Sequence, residues 1–159
     1  MNAGFARAAL VAALVVLASP AVAAEPGARA QGRAIMSEDP AGARLEQEWG
    51  FSDALVVGDT VYLSGVVAGV REGETDLQAA YTRAFDRIGA ILERAGASWG
   101  DVVDLTTFHT DLTTQMPAIV AVKNRYVKAP FPAWTAIQVA RLIPNAGITE
   151  IKVVARLRR

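Results

Sequence analysis

Apolar residues recur three and four positions apart between Leu77 and Ala95. Leu77, Ala80, Tyr81, Ala84, Ile88, Ile91, Leu92 and Ala95 form one stripe, the spacing of an amphipathic helix. The pattern predicts a helix from about Asp76 to Ala95. Thr75 is expected to cap it, Gln78 to complete a capping box, and Gly96 to end it in a left-handed conformation. Arg83, Asp86, Arg87, Glu93 and Arg94 cover the remaining surface as a solvated face. A second helix is expected from about Met116 to Val127, opened by Pro117 in its first turn. Met116, Ile119, Val120, Lys123, Tyr126 and Val127 would turn inward, with the Lys123 stem along the edge.

Elsewhere the period falls to two. Phe51 to Val57 and Thr60 to Ser64 are β-rich runs split by Gly58-Asp59, a hairpin signal. Gly65 and Gly69 flank Val66-Val67, where a strand bends or another backbone comes close. Val102 to Thr110 reads as a strand through its β-branched and aromatic residues. Phe131 to Leu142 and Gly147 to Ala155 read as two more, the first entered through a rigid Phe-Pro. The order is β-β-α-β-α-β-β, with a short extra strand near Arg33 to Met36. Such an order folds most simply as α+β, a mixed sheet with two helices packed on one face. The opposite face then carries alternating apolar positions. Ile137 and Val139, or Ile151, Val153 and Ala155, are expected to be buried there against a neighbouring subunit.

The first segment stands apart. Arg7, the apolar run Ala8 to Ala18, Pro20 and Ala21-Val22-Ala23 follow the layout of a secretory signal peptide. The run is shorter than the roughly 20 residues a spanning helix needs. The domain expectation is therefore a signal peptide over 1–23, a flexible Ala-, Gly- and Pro-rich leader over 24–44, and one folded domain over 45–159. The protein is expected in a periplasm or outside the cell, with no stable membrane insertion after cleavage. Past residue 23 acidic groups outnumber basic ones by one, and no basic run is present, which argues against nucleic acid as a partner. One histidine and no cysteine leave no recognisable metal-ligand set. A domain of this size buries enough surface to need no disulfide.

Five short segments, in order, carry a resemblance. They are Phe51-Ser52-Asp53-Ala54, Val61-Tyr62-Leu63-Ser64-Gly65, Thr107-Phe108-His109-Thr110-Asp111-Leu112, Phe131-Pro132-Ala133-Trp134 through Ala140-Arg141-Leu142, and Glu150-Ile151. Together they resemble the Rid/YjgF family of reactive-intermediate deaminases over about Phe51 to Leu157. The resemblance implies a chorismate-mutase-like fold, a homotrimer, and a small-molecule cleft at each subunit interface. Active relatives hydrolyse 2-imino acids or their enamine tautomers to 2-keto acids and ammonia without a cofactor. Carried over residue by residue, Glu150 is the catalytic carboxylate that positions water. Ser64, Gly65 and the backbone near Ala136 bind and polarise the substrate, and Phe51 stands where the family has a tyrosine wall.

This chain departs from the pattern at Trp134, where the family has a carboxylate-gripping arginine. A guanidinium fork donates two parallel charge-assisted hydrogen bonds; an indole offers one N–H and a large apolar ring. For a carboxylate ligand the loss is worth about 2–5 kcal/mol by analogy with buried charge pairs. Phe51, Trp134 and Val120, the last near a family asparagine, make one expected pocket apolar at three points. Lys152 occupies a position that is often acidic. Two readings follow: a cofactor-free imine or enamine hydrolase with altered substrate, or a non-catalytic trimeric binder of a neutral or aromatic metabolite. Taken alone, Glu150 would read as a solvent-facing strand carboxylate, Trp134 as core or interface, and His109 as a packed or surface residue. Ser64 has no partner for nucleophilic catalysis and is expected to hydrogen-bond locally or to a ligand.

Overall fold

A computed structural model describes residues 27–158; the expected signal peptide, Met1 to Ala23, lies outside them. The elements run β1 (Arg33–Ile35), α1 (Pro40–Trp49), β2 (Ala54–Val57), β3 (Thr60–Leu63), β4 (Val66–Gly69), α2 (Leu77–Ala95), β5 (Val102–His109), α3 (Leu112–Tyr126), β6 (Ala133–Gln138) and β7 (Gly147–Arg156). The strands form one mixed sheet in the order β1-β2-β3-β7-β5-β6, with β4 also paired to β7. β5 and β6 are parallel, and β7 runs antiparallel to β3, β4 and β5. This is the expected α+β architecture, with α2 and α3 on one face.

Alternation along the central strand decides which face the helices cover. Gly147, Thr149, Ile151, Val153 and Ala155 of β7 are buried beneath Tyr81, Phe85, Ile88 and Leu92 of α2 and Ile119 and Val122 of α3. Each large apolar side chain removed from water contributes about 1.5–3 kcal/mol. The row Ile151, Val153 and Ala155 is therefore satisfied within one protomer, not against a neighbour. The opposite face carries the alternate residues, Glu150, Lys152 and Val154 of β7, Phe108 of β5 and Ile137 of β6, all partly or largely exposed.

Three elements differ from the expectation. The cap of α2 is Asp76, not Thr75: its carboxylate accepts from Gln78 N at 2.9 Å, and an anion there also suits the helix dipole. Gly96 ends α2 at φ 87°, as the sequence indicates. The second long helix begins at Leu112, about a turn before the expected start, because Asp111 accepts from Thr113 N and Thr114 N. Pro117 therefore lies inside α3. Finally, α1, which the pattern did not predict, begins within the stretch read as a flexible leader, whereas β1 lies where a short strand was expected. Asp39 caps α1 and Gly50 closes it, yet it shows no apolar stripe to the core. Its buried residue is Glu46, whose carboxylate accepts from Ser37 N at 2.8 Å.

Candidate functional site

On the face away from the helices, β3 and β4 follow one another along β7 with a break at Ser64-Gly65. Two bonds fix the break: Ser64 N donates to Asp53 O at 2.9 Å, and Ser64 Oγ donates to Ser52 O at 2.6 Å. Ser64 thus does the local bonding expected of it. A groove of about 410 Å³ opens there, lined by Ser52, Leu55, Tyr62, Ser64, Gly65, Glu150 and Lys152 among others. Glu150 crosses from β7 and lays its carboxylate over Gly65 so closely that a Cβ at 65 would clash with Oε1. The missing side chain at Gly65 leaves the carboxylate that space. Among the described residues, no hydrogen bond or ion pair is made to the Glu150 carboxylate, and Lys152 on the same face makes no ion pair. The carboxylate is free to accept hydrogen bonds from water or a ligand.

The structure thus brings Ser64, Gly65 and Glu150 together, and Lys152 joins them. Phe51 is exposed beside the groove's edge residue Ser52 and does not line it. Within the protomer, Tyr62 is the aromatic residue that lines the groove. Sequence reasoning passed over Tyr62 and Leu55, although strand alternation puts Tyr62 on the same side as Ser64.

Trp134 and Ala136 lie elsewhere. They pair with Leu105 and Thr107 of β5, whose side chains are buried on the helix-covered face. Within one protomer, then, Trp134 and Glu150 occupy opposite faces of the sheet. The Trp134 indole N–H donates to Thr107 Oγ1 at 3.1 Å, so its single donor is engaged. Its ring walls a second cleft of about 340 Å³ with Leu105, Val120, Lys123, Phe131 and Pro132. Val120 is therefore beside Trp134, as expected, whereas Phe51 is not in that pocket.

Thr107 also leads into a buried polar chain. Its hydroxyl meets His109 Nε2 at 3.0 Å, and His109 Nδ1 lies 3.2 Å from Gln115 Oε1 and 3.1 Å from Thr149 Oγ1. Thr149 in turn meets Tyr81 OH at 2.8 Å. Every member lies in the core, which pushes the His109 pKa down because burial disfavours the imidazolium. His109 is a packed residue, and the chain ends at the Trp134 indole.

Known proteins carry the same pattern. The sequence model of the family described as endoribonuclease L-PSP matches residues 41–157. The RutC family protein YjgH of Escherichia coli K12 is 42% identical over 123 residues, 74% of this chain and 92% of that protein. A 2-iminobutanoate/2-iminopropanoate deaminase of Dermatophagoides farinae is 35% identical over 102 residues, 62% of this chain and 79% of that enzyme. The solved structure of protein YJGH aligns with a TM-score of 0.68 at 36% identity, covering 80% of this chain and 97% of that one. The segments that surround the groove and the cleft fall within these matches, and the chain belongs to the YjgF/Rid family.

Proposed function

We propose that this protein is an exported, homotrimeric, cofactor-free hydrolase of an imine or enamine, giving a carbonyl compound and ammonia. One observation carries the reading: a carboxylate without a protein partner, held over a glycine at the floor of an open groove. Glu150 accepts a proton from water as the water oxygen bonds to the imine carbon. The C=N electron pair moves to nitrogen, which takes the proton that Glu150 received from water; the carbinolamine then collapses to C=O as its hydroxyl proton passes, through Glu150, to the nitrogen that leaves as ammonia. Atoms balance without oxidant, metal or cofactor. The mite relative named as a 2-iminobutanoate/2-iminopropanoate deaminase supports the reaction class.

Trp134 and Glu150 sit on opposite faces of one sheet, so a site that uses both draws them from two copies. This supports a trimer with its clefts between subunits. Because the indole N–H is already given to Thr107, position 134 offers a ligand only a ring face. That favours substrates unlike the small 2-imino acids. The same observation favours a second reading, a non-catalytic binder of a neutral or aromatic metabolite.

The two are separated by supplying imines generated in situ from aliphatic and aromatic amino acids and following the keto product. Hydrolysis that Glu150→Ala abolishes, with the fold retained, is the expected result. An absence of turnover on every imine would leave the binding reading in its place.

A further inference from the structure

Lys152 stands in the middle of the uncovered sheet face. Toward β5 its partner is Thr106. On its other side the ladder is interrupted: β3 pairs as far as Val154, and β4 resumes at Ile151. Lys152 therefore borders the break at Ser64-Gly65, and with Glu150 it lines the groove that opens there. Residues 150 and 152 share a face because strand side chains alternate. Lys152 is exposed and, among the described residues, in no ion pair. Asp104, a carboxylate of β5 on the same face, opposes Val154 instead and accepts from Thr106 Oγ1 at 3.4 Å.

A groove with one free carboxylate and one free ammonium constrains its ligand. The protonated imine is the more electrophilic form, and it is a cation. An ammonium two residues from the water-activating carboxylate repels that cation unless the same molecule also brings a negative group. Such a group gains a charge-assisted hydrogen bond from Lys152 Nζ. Alternate residues of a strand are only about 6.5 Å apart, so one small molecule can meet both long side chains at once. Lysine is a compact point charge without arginine's planar fork. It selects the sign of the substrate's group and leaves the body of the molecule open.

We propose that Lys152 is the specificity-determining residue of the Glu150 groove, holding the carboxylate of an anionic imine while Glu150 directs water at the imine carbon. This rests on the hydrolase reading above and adds the charge of its substrate. The cation comes from β7 of the protomer that supplies Glu150, not from β6.

The probes are imines generated in situ from phenylalanine and from phenylethylamine, which share a ring and differ by one carboxylate. The unaltered protein should favour the phenylalanine imine by about tenfold or more in kcat/KM, the scale of one charge-assisted hydrogen bond. Lys152→Met should remove that preference, chiefly by raising KM, and Lys152→Arg should keep it. The side chain is exposed, so both replacements leave the core intact. Equal kcat/KM for the two imines, or a preference that survives in Lys152→Met, would overturn the proposal and leave the hydrolase reading standing. Should neither imine be turned over, the hydrolase reading fails, and calorimetric titration with phenylpyruvate decides the role of Lys152. A loss of affinity of about tenfold in Lys152→Met, absent in Lys152→Arg, would support it. Unchanged affinity, or no binding to the unaltered protein, would end it.

Discussion

At the residue scale, Gly65 and Glu150 constrain one another. The carboxylate takes the space that a side chain at 65 would need, and its Cγ and Cδ also lie within 2.7 Å of the position a Cβ would take. In Gly65→Ala the obstacle is a flexible side chain in an open groove, so Glu150 swings aside while the strand survives. The melting temperature should change little, whereas imine hydrolysis should fall to the level of Glu150→Ala. Loss of folding instead would show that the groove's floor is structural. His109 gives a different test. Its folded pKa is depressed, so below about 6.5 the unfolded chain binds a proton that the folded chain refuses. The contribution is complete above that pH and declines as pH falls toward the folded value. Urea unfolding between pH 7.5 and 5.5 should therefore show stability falling with acidification, and a flatter slope in His109→Gln. The role of Gly65 could be read in outline from its place after Ser64. The engagement of the Trp134 N–H could not, because Thr107 lies 27 residues away along the chain.

At the scale of elements, helices with an apolar stripe were legible and those held by polar contacts were not. α2 has eight buried residues at helical spacing, and its extent follows from them. α1 buries a carboxylate while Leu45 and Trp49, four residues apart, stay exposed, so its apolar spacing does not mark a core face even though Asp39, Pro40 and Gly50 mark its ends. Capping residues are similarly ambiguous when two candidates adjoin. Asp76 rather than Thr75 holds the first turn of α2, so Asp76→Ala should destabilise the protein by about 1 kcal/mol. Thr75→Ala should fall within the error of the same denaturant titration. The reverse order would restore Thr75 as the cap. α3 shows the limit of rules about proline. Pro117 is tolerated inside the helix while Asp111 sets the start one turn earlier, so the position of a proline alone misplaces the end.

For the whole molecule, the uncovered sheet face sets the expectation. Tyr62 is 48% exposed on β3, whose other side is packed, and Ile137 is 42% exposed on β6. Apolar area of this kind on an ordered sheet is a surface for association. We propose that a second and third copy of the chain cover it, and that the protein reaches this state after export. Recovered from the periplasm of an expressing bacterium, it should begin near Ala24 and scatter light as three protomers at micromolar concentration. A monomer, or a chain that still starts at Met1, would remove the corresponding half of the proposal.

The order of periodic segments determined the α+β class, the helix-covered sheet and the family, because these depend on local spacing and short contiguous motifs. The resemblance carried by those motifs implied that Ser64, Gly65 and Glu150 share a site, and the folded chain brings them to one groove. Only the folded chain decided that Trp134 turns toward α3, spends its N–H on Thr107 and shares a cleft with Lys123. Those outcomes depend on strand parity and register between β5 and β6, which bring distant residues together and leave no mark in the spacing along either strand.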